Sequence, residues 1–541
     1  MARSGRGAAA PVTRLVLALI ALLLASAARS AAQESFDVLI RSGRVLDGTG
    51  NPWYRADVGI RGDRIVAVGR LAGATAGTVI DARGLYVAPG FVDVHTHAGR
   101  GLATPDLAGA EPLLAQGITT AVLNPDGGGP IDLSEQRSQL EAHGIGVNAA
   151  LLVGHGSIRR AVLGMQDRAP TDAELRRMEE LVRTAMVEGA FGLSSGPYYA
   201  PGSYASTEEL ITLARIAAEY GGVYSSHIRD ESDYTIGVVA AVDEVIRIAR
   251  EAHLPSVATH LKALGPSVWG FGPALASRIE WARAAGLEVY ADQYPYTASA
   301  TGLDAALLPR WAQAGGRDSL LARLRDQAQH TAIRAAMVEN LARRGGADRI
   351  QFRSHDADHT IEGRLLSAVA AERGLDPVDA AIDIIQAGGA GIVSFNMDAG
   401  DVEHLMRQPW MMTSSDGDLV PPGRGVPHPR VYGAFPRKIR VYALEQRVVT
   451  LADAVRSMTS LPASVFAIPE RGLVRAGMIA DVVVFDLATT ADHATYADPH
   501  RLSEGMVHVL VSGTPAIADG RFTGARAGRV LQRQTWPTAN P

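Results

Sequence analysis

The chain has 541 residues, a formal net charge of −5 and no cysteine. Disulfides and thiolate ligands are therefore excluded, and any metal site must use histidine, carboxylate or a modified lysine. Charged residues make up 20% and hydrophobic residues 47%, a globular balance, and without a basic tract there is no electrostatic footprint for nucleic acid.

The first residues read as an export signal. Arg3, Arg6 and Arg14 form a positive segment, and Leu15 to Leu24 an apolar core too short to favour a full membrane span. Ser30-Ala31-Ala32 before Gln33 is the expected cleavage site, Ala25-Ser26-Ala27 its competitor, and an uncleaved anchor the alternative. A signal peptide over 1–32 predicts a periplasmic or secreted protein with no stable membrane span after cleavage.

Residues 33–85 then alternate in a β manner, as in Phe36-Asp37-Val38-Leu39-Ile40 and Arg64-Ile65-Val66-Ala67-Val68, with Gly and Asp turns between. From about 86 to 470, short apolar strands alternate with helical stretches, the pattern of a parallel sheet or barrel. Eight strands are expected: Phe91–His97, Thr119–Asn124, Val147–Val153, Gly192–Ser195, Gly222–His227, Ser256–His260, Glu288–Asp292 and Trp410–Asp416. Helices are expected over Thr207–Tyr220, with apolar Leu210, Leu213, Ala214 and Ala217, and over Ile236–Ala252. The stretch from about 301 to 408 is too long for one βα unit and predicts an inserted subdomain, helical at Asp318–Arg344. Residues 471–541 return to short strands, among them Ala480–Asp486 and Val507–Val511. The fold class is α/β: a (β/α)8 TIM-like barrel with an insertion and a small β-sandwich built from both chain ends.

In such a barrel, polar residues at the C-terminal ends of the strands share one mouth. His95 and His97, two apart on the first strand, point to one side. Asp126 follows strand two, His227 ends strand five, His260 strand six and Asp416 strand eight. Four histidines and two carboxylates at one mouth match a site for one or two zinc ions. Taken singly, His227 and His260 also fit as packed core residues, Asp416 as a cap, and Asp126 as a turn residue in Asn124-Pro125-Asp126-Gly127. His155 lines the mouth or orients backbone, His143 and His253 are surface residues, and His355 and His359 belong to a polar loop of the insertion.

Several motifs narrow the reading. They include Pro89-Gly90-Phe91-Val92-Asp93-Val94-His95-Thr96-His97, Gly154-His155-Gly156, Ser226-His227-Ile228-Arg229-Asp230-Glu231, Thr259-His260-Leu261-Lys262, Tyr294-Pro295-Tyr296, Ser415-Asp416-Gly417 and His428-Pro429-Arg430. Together, from about Phe36 to Asp486, they resemble the N-acyl-D-amino-acid deacylases (D-aminoacylases) of the metal-dependent amidohydrolase superfamily. The resemblance implies hydrolysis of the N-acyl amide of an N-acyl-D-amino acid, a small-molecule substrate, by a metal-activated water. It makes His95, His97 and Asp416 the first-metal set, His227 and His260 second-metal ligands, and Asp416 the catalytic acid/base. It sets Tyr199, Lys262, Tyr294 and Arg430 against the substrate's carboxylate or side chain. Asp126 stands where this family usually has a cysteine, and Ala300, between Ser299 and Thr301, where it has a serine. A carboxylate is a harder ligand than a thiolate.

Two other readings compete. Related amidohydrolases act as dipeptidases or cyclic-amide hydrolases, often with a carboxylated lysine at the end of strand four; this chain has Ser194-Ser195-Gly196 there. A binding protein that kept the fold without catalysis would not need both Asp416 and all four histidines.

Overall fold

A computed structural model describes residues 35–533. The signal segment read over 1–32 lies outside the described residues. Five strands come first: β1 (Ser35–Val45), β2 (Tyr54–Arg61), β3 (Arg64–Gly69), β4 (Thr75–Asp81) and β5 (Tyr86–Pro89). β1 pairs antiparallel with β2 and parallel with both β4 and β5. It can serve three partners because its register shifts between Ile40 and Gly43. At Gly43 a Cβ would stand 2.4 Å from the Val87 side chain, so the close approach of β5 requires glycine.

Through Gly90 the chain passes directly into the parallel strands. These are β6 (Phe91–Asp93), β7 (Ile118–Leu123), β8 (Asn148–Leu151), β9 (Val153–Gly154), β10 (Gly192–Ser195), β11 (Val223–Ser226), β12 (Ser256–Ala258) and β13 (Val289–Gln293). Apart from Tyr290 every residue in them is buried, as expected of parallel strands covered on both faces. β6, β7 and β8 form one sheet, and β9 to β13 continue in chain order in a second. Val92, Val122, Ala150, Val257 and Met412 share one core with Phe466 and Ile468 from beyond the last parallel strand. Among the covering helices, Thr207–Glu219 is capped by Ser206, which accepts a hydrogen bond from the Glu209 amide. Val238–Ala252 packs its apolar stripe on β12.

After β13 the chain builds a separate unit. β14 (Ser299–Gly302), β15 (Ile350–Ser354) and β16 (Gly391–Ser394) form an antiparallel sheet in the order β14-β16-β15. With the helices around them they enclose a core of their own, including Leu303, Ile333, Met337, Phe352, Ile382 and Ile392. The helical stretch expected over Asp318–Arg344 is two helices, Arg317–Arg325 and Gln327–Arg343. They break at Asp326, whose carboxylate caps the second through the Gln329 amide. Helix Ala399–Met406 already belongs to the main body, since Leu405 packs with Leu275, Trp410 and Met411.

β17 (Met411–Thr413) then pairs with β13. Just beyond it, the Asp416 amide donates to the His95 carbonyl and the His97 amide to the Gly417 carbonyl, both at 2.8 Å, so the last parallel segment meets the first. Finally β18 (Val482–Phe485), β19 (Met506–Val511), β20 (Thr514–Ala518) and β21 (Arg521–Phe522) add to the opening strands. β18 pairs antiparallel with β5, which makes one nine-stranded sheet from both chain ends. Among the described residues no helix is long and apolar enough to cross a membrane.

Candidate metal centre and active site

The strand ends bring all six sequence-predicted ligands together. His95, His97, Asp126 and Asp416 form one group, and Asp126, His227 and His260 a second that shares Asp126. His95 Nε2 lies 3.3 Å from Asp126 Oδ1 and 3.5 Å from Asp416 Oδ1. His97 Nε2 lies 3.4 Å from Asp126 Oδ2 and 3.3 Å from Asp416 Oδ1. On the other side, His227 Nδ1 and His260 Nε2 lie 3.8 and 3.6 Å from Asp126 Oδ1.

These spacings test whether the residues suit a metal ion. Two donors about 2.0–2.1 Å from a tetrahedral zinc ion stand roughly 3.3 Å apart. The first group meets that edge length closely, and the second is slightly wider. Both ring nitrogens of His95 and of His227, and Asp126 Oδ1, are buried without a hydrogen-bond partner. Buried polar atoms normally have one, so the donor set fits a divalent cation. Burial pushes the Asp126 carboxyl up, but His95 and the neighbouring imidazoles outweigh it and hold Asp126 well below the usual carboxylate range. For Asp416 the same opposition is won by Arg430, then His260, and it too lies well below that range.

The ligands sit on unusual backbone. Asp126, His260 and Asp416 have φ values of 57°, 35° and 48°, in or near the left-handed region. Such strain gathers where surrounding contacts fix a functional geometry. Around Asp126, Asn124 (φ 63°) bonds Gln136 and the Leu152 carbonyl, and Ser194 Oγ donates to the Asn124 carbonyl.

The residues expected to face substrate lie beside this cluster, in the wall of a cavity of about 1190 Å³. Tyr199 sets its hydroxyl 3.2 Å from Thr301 Oγ1 and its ring against His227. Arg430 is buried; its Nη1 lies 2.7 Å from Asp416 Oδ2 and its guanidinium stands over the Tyr294 ring. Lys262 is buried as well. Its ammonium contacts Glu231 Oε1 and lies 2.8 Å from both Nδ1 and the carbonyl oxygen of His260.

Glu231 is one of three site carboxylates that sequence reasoning missed. It also approaches His227 Nε2 at 3.6 Å and His260 Nδ1 at 3.2 Å. Its signal was present, a glutamate four residues after His227 in the same motif, but its partner Lys262 comes from another strand end. Asp93 and Asp292 were missed too. Asp93 is two residues before His95, and Asp292 ends the stretch expected as strand seven.

The remaining histidines stand apart from the cluster. His155 is fully buried and bonds Glu209, which also pairs with Arg159. His143, expected at the surface, is half-buried with Nε2 2.9 Å from the Leu102 carbonyl; His253 is exposed in the left-handed cap of its helix. His355 is buried against the Gly389 carbonyl and His359 is exposed beside Glu362. His428 accepts the Arg430 amide and places Nε2 on the Ala298 carbonyl. Burial and the neighbouring Arg430 keep it neutral, with a pKa well below the usual value.

Residues 78–517 match a family model described as the amidohydrolase family. A D-aminoacylase of Alcaligenes xylosoxydans xylosoxydans is 36% identical over 528 residues, covering 92% of this chain and 98% of that protein. The solved structure of a D-aminoacylase with a binuclear metal centre superposes with a TM-score of 0.79 at 35% identity, over 92% of this chain and 100% of the other. An N-acyl-D-glutamate deacylase from Bordetella bronchiseptica, solved with zinc and a phosphonate mimic of the tetrahedral intermediate, gives 0.77 at 35% identity over the same shares. These likenesses imply a TIM-barrel-type fold.

Proposed function

Because the chain belongs to the amidohydrolase family, we propose that it is a metal-dependent deacylase, which hydrolyses the N-acyl amide of N-acyl-D-amino acids to a carboxylate and a free D-amino acid. The observation that carries this reading is the shared cluster of four imidazoles and two carboxylates at metal-ligand spacing beside a large cavity. His95, His97, Asp126 and Asp416 would hold one ion, and Asp126, His227 and His260 a second. When bound, zinc polarises the scissile carbonyl and lowers the pKa of a water towards 7.

The chain's own residues do the rest. Asp416 stays ionised, takes the proton of the attacking water and delivers it to the amide nitrogen as the C–N bond breaks. Arg430, on Oδ2, fixes the carboxylate so that Oδ1 is the atom facing His95 and His97. The substrate's own carboxylate offers Arg430 and Lys262 a further anion, while Tyr199 and Tyr294 supply hydroxyls and ring faces along the cavity wall.

At the level of architecture, we read the two parallel sheets as one (β/α)8 barrel, in which β8 and β9 are one strand interrupted at Leu152 and the backbone bonds between 95–97 and 416–417 join the first strand to the last. The unit at about 299–394 is its insertion, shorter at its end than the stretch to 408 read from the sequence because helix Ala399–Met406 packs on the main body, and the nine-stranded sheet, bent at β1, is a small sandwich. The arginine-rich start and the apolar stretch that follows support export to the periplasm or beyond; N-terminal sequencing of the secreted protein should begin near Gln33, and a start at Met1 refutes this.

The deciding experiment is a rate comparison across N-acetyl-D-amino acids, their L-enantiomers, D-dipeptides and cyclic amides, with metal content measured in parallel. D-substrates should be cleaved at least about 100-fold faster than L. Asp416→Asn should cost about 10²–10⁴-fold in kcat, the usual worth of a general acid/base. Cleavage confined to L-substrates, dipeptides or cyclic amides overturns the reading.

A further inference from the structure

Two buried carboxylates outside the ligand set converge on the two residues that precede Asp416. Asp93, at the end of β6, is fully buried. It accepts hydrogen bonds from the Ser415 amide at 2.9 Å, from Ser415 Oγ and from the His95 amide at 3.3 Å. Asp292, on β13, is fully buried as well. Its Oδ1 accepts from Ser414 Oγ at 2.6 Å and from the His260 amide at 2.9 Å.

The two acids work from opposite sides. Strand β17 lies between β13 and the 95–97 segment, and Ser414 and Ser415 extend it by two residues. Each carboxylate thus ties one site histidine to one serine: Asp93 joins His95 to Ser415, and Asp292 joins His260 to Ser414. Ser415 Oγ also accepts the Gly417 amide at 3.0 Å, so Asp416 is braced on both sides. This matters because Asp416 has φ 48°, a conformation that non-glycine residues hold only when their surroundings impose it.

The geometry points to Asp93, Asp292, Ser414 and Ser415 as positioning residues for the reaction: they set the orientation of Asp416 relative to His95 and His260 without touching substrate. The inference rests on the reading of Asp416 as the acid/base.

The test uses the metal-loaded full chain and the variants Ser415→Ala, Ser414→Ala, Ser415→Thr and Asp416→Asn. Kinetics with an N-acetyl-D-amino acid, metal content and the pH profile of kcat are measured for each. Ser415→Ala should lower kcat about 10- to 100-fold, leave KM within about threefold, keep its metal and displace the acidic limb of the profile; Ser415→Thr, which restores the hydroxyl, should recover most of the loss. Ser414→Ala should do the same more weakly, because Ser415 Oγ also accepts the Gly417 amide beyond Asp416 whereas Ser414 Oγ bonds Asp292. Wild-type kcat in Ser414→Ala and Ser415→Ala, beside an inactive Asp416→Asn, refutes the positioning role alone. Loss of metal or of folded protein, with unchanged kcat per metal-loaded chain, also refutes it. An active Asp416→Asn refutes the acid/base reading on which it stands.

Discussion

Asp126 turns its two oxygens towards different imidazoles, Oδ2 to His97 and Oδ1 to His95, His227 and His260. One carboxylate therefore belongs to both ligand groups. Asp126→Ala should lose at least one equivalent of metal per chain after dialysis, measured by elemental analysis; unchanged stoichiometry and affinity would remove it from the site. Lys438 makes the opposite kind of point. It is buried in a π-helical turn, and its ammonium finds only the Thr413 and Ser457 hydroxyls. Burial pulls its pKa from 10.5 to about 7. The unfolded chain then binds more protons between pH 7 and 10.5, so this contribution to stability rises with pH across that window, and the cost is full below pH 7. Thr413 and Ser457 already contact each other at 3.1 Å, so removing the amine strands neither. Lys438→Met should raise stability by on the order of 1–3 kcal/mol at pH 6, with the gain shrinking towards pH 10; equal melting shifts at both pH values would contradict it. At this scale the sequence was informative about ligands and poor on partnerships. His95, His97 and Asp416 were legible because strand period and strand ends are local signals. The Glu231–Lys262 contact joins residues from different strand ends, and the Arg430–Asp416 pair closes the long loop after β17; no local pattern encodes either.

The turn after β7 shows how elements, and not only residues, build the site. Asn-Pro-Asp-Gly is a turn sequence, and it serves as both turn and ligand carrier: Asn124, Asp126 and Gly127 all have positive φ. The turn rests on β9. A Cβ on Gly154 would stand 2.2 Å from the Gly128 carbonyl and 2.5 Å from that of Gly127. Gly154→Ala should therefore move the loop that holds Asp126 and weaken metal binding at least about tenfold, with the circular dichroism spectrum retained. Wild-type metal affinity would show that the turn does not depend on this approach. The expected strands were found close to their places because buried parallel strands leave continuous apolar runs. Their ends were shorter than read, since the polar residues at the mouth leave the ladder to reach the site. The sheet of the insertion was not legible: β14, β15 and β16 are four or five residues each and pair across intervals filled by helices.

At the scale of the whole molecule, the ligand cluster and the far wall of the cavity come from units with separate cores. The parallel strands supply every ligand, while the 299–394 unit supplies Thr301, Arg344 and Arg353 to the far wall of the cavity. It is bound to the main body by specific ties, including Arg344 to Tyr198 and Arg353 to Asp418. Different side-chain preferences can be placed on that wall with the ligand set untouched.

The pairing of Val482 with Pro89 has a temporal consequence. At about 5–20 residues per second, roughly 20–80 s separate the synthesis of those two partners. For that interval β5 is an unpaired edge, open to wrong partners, and the nine-stranded sheet cannot form. The ligand-bearing strands, all made before Val482, can begin to assemble earlier; the sheet that joins the chain's two ends is completed last.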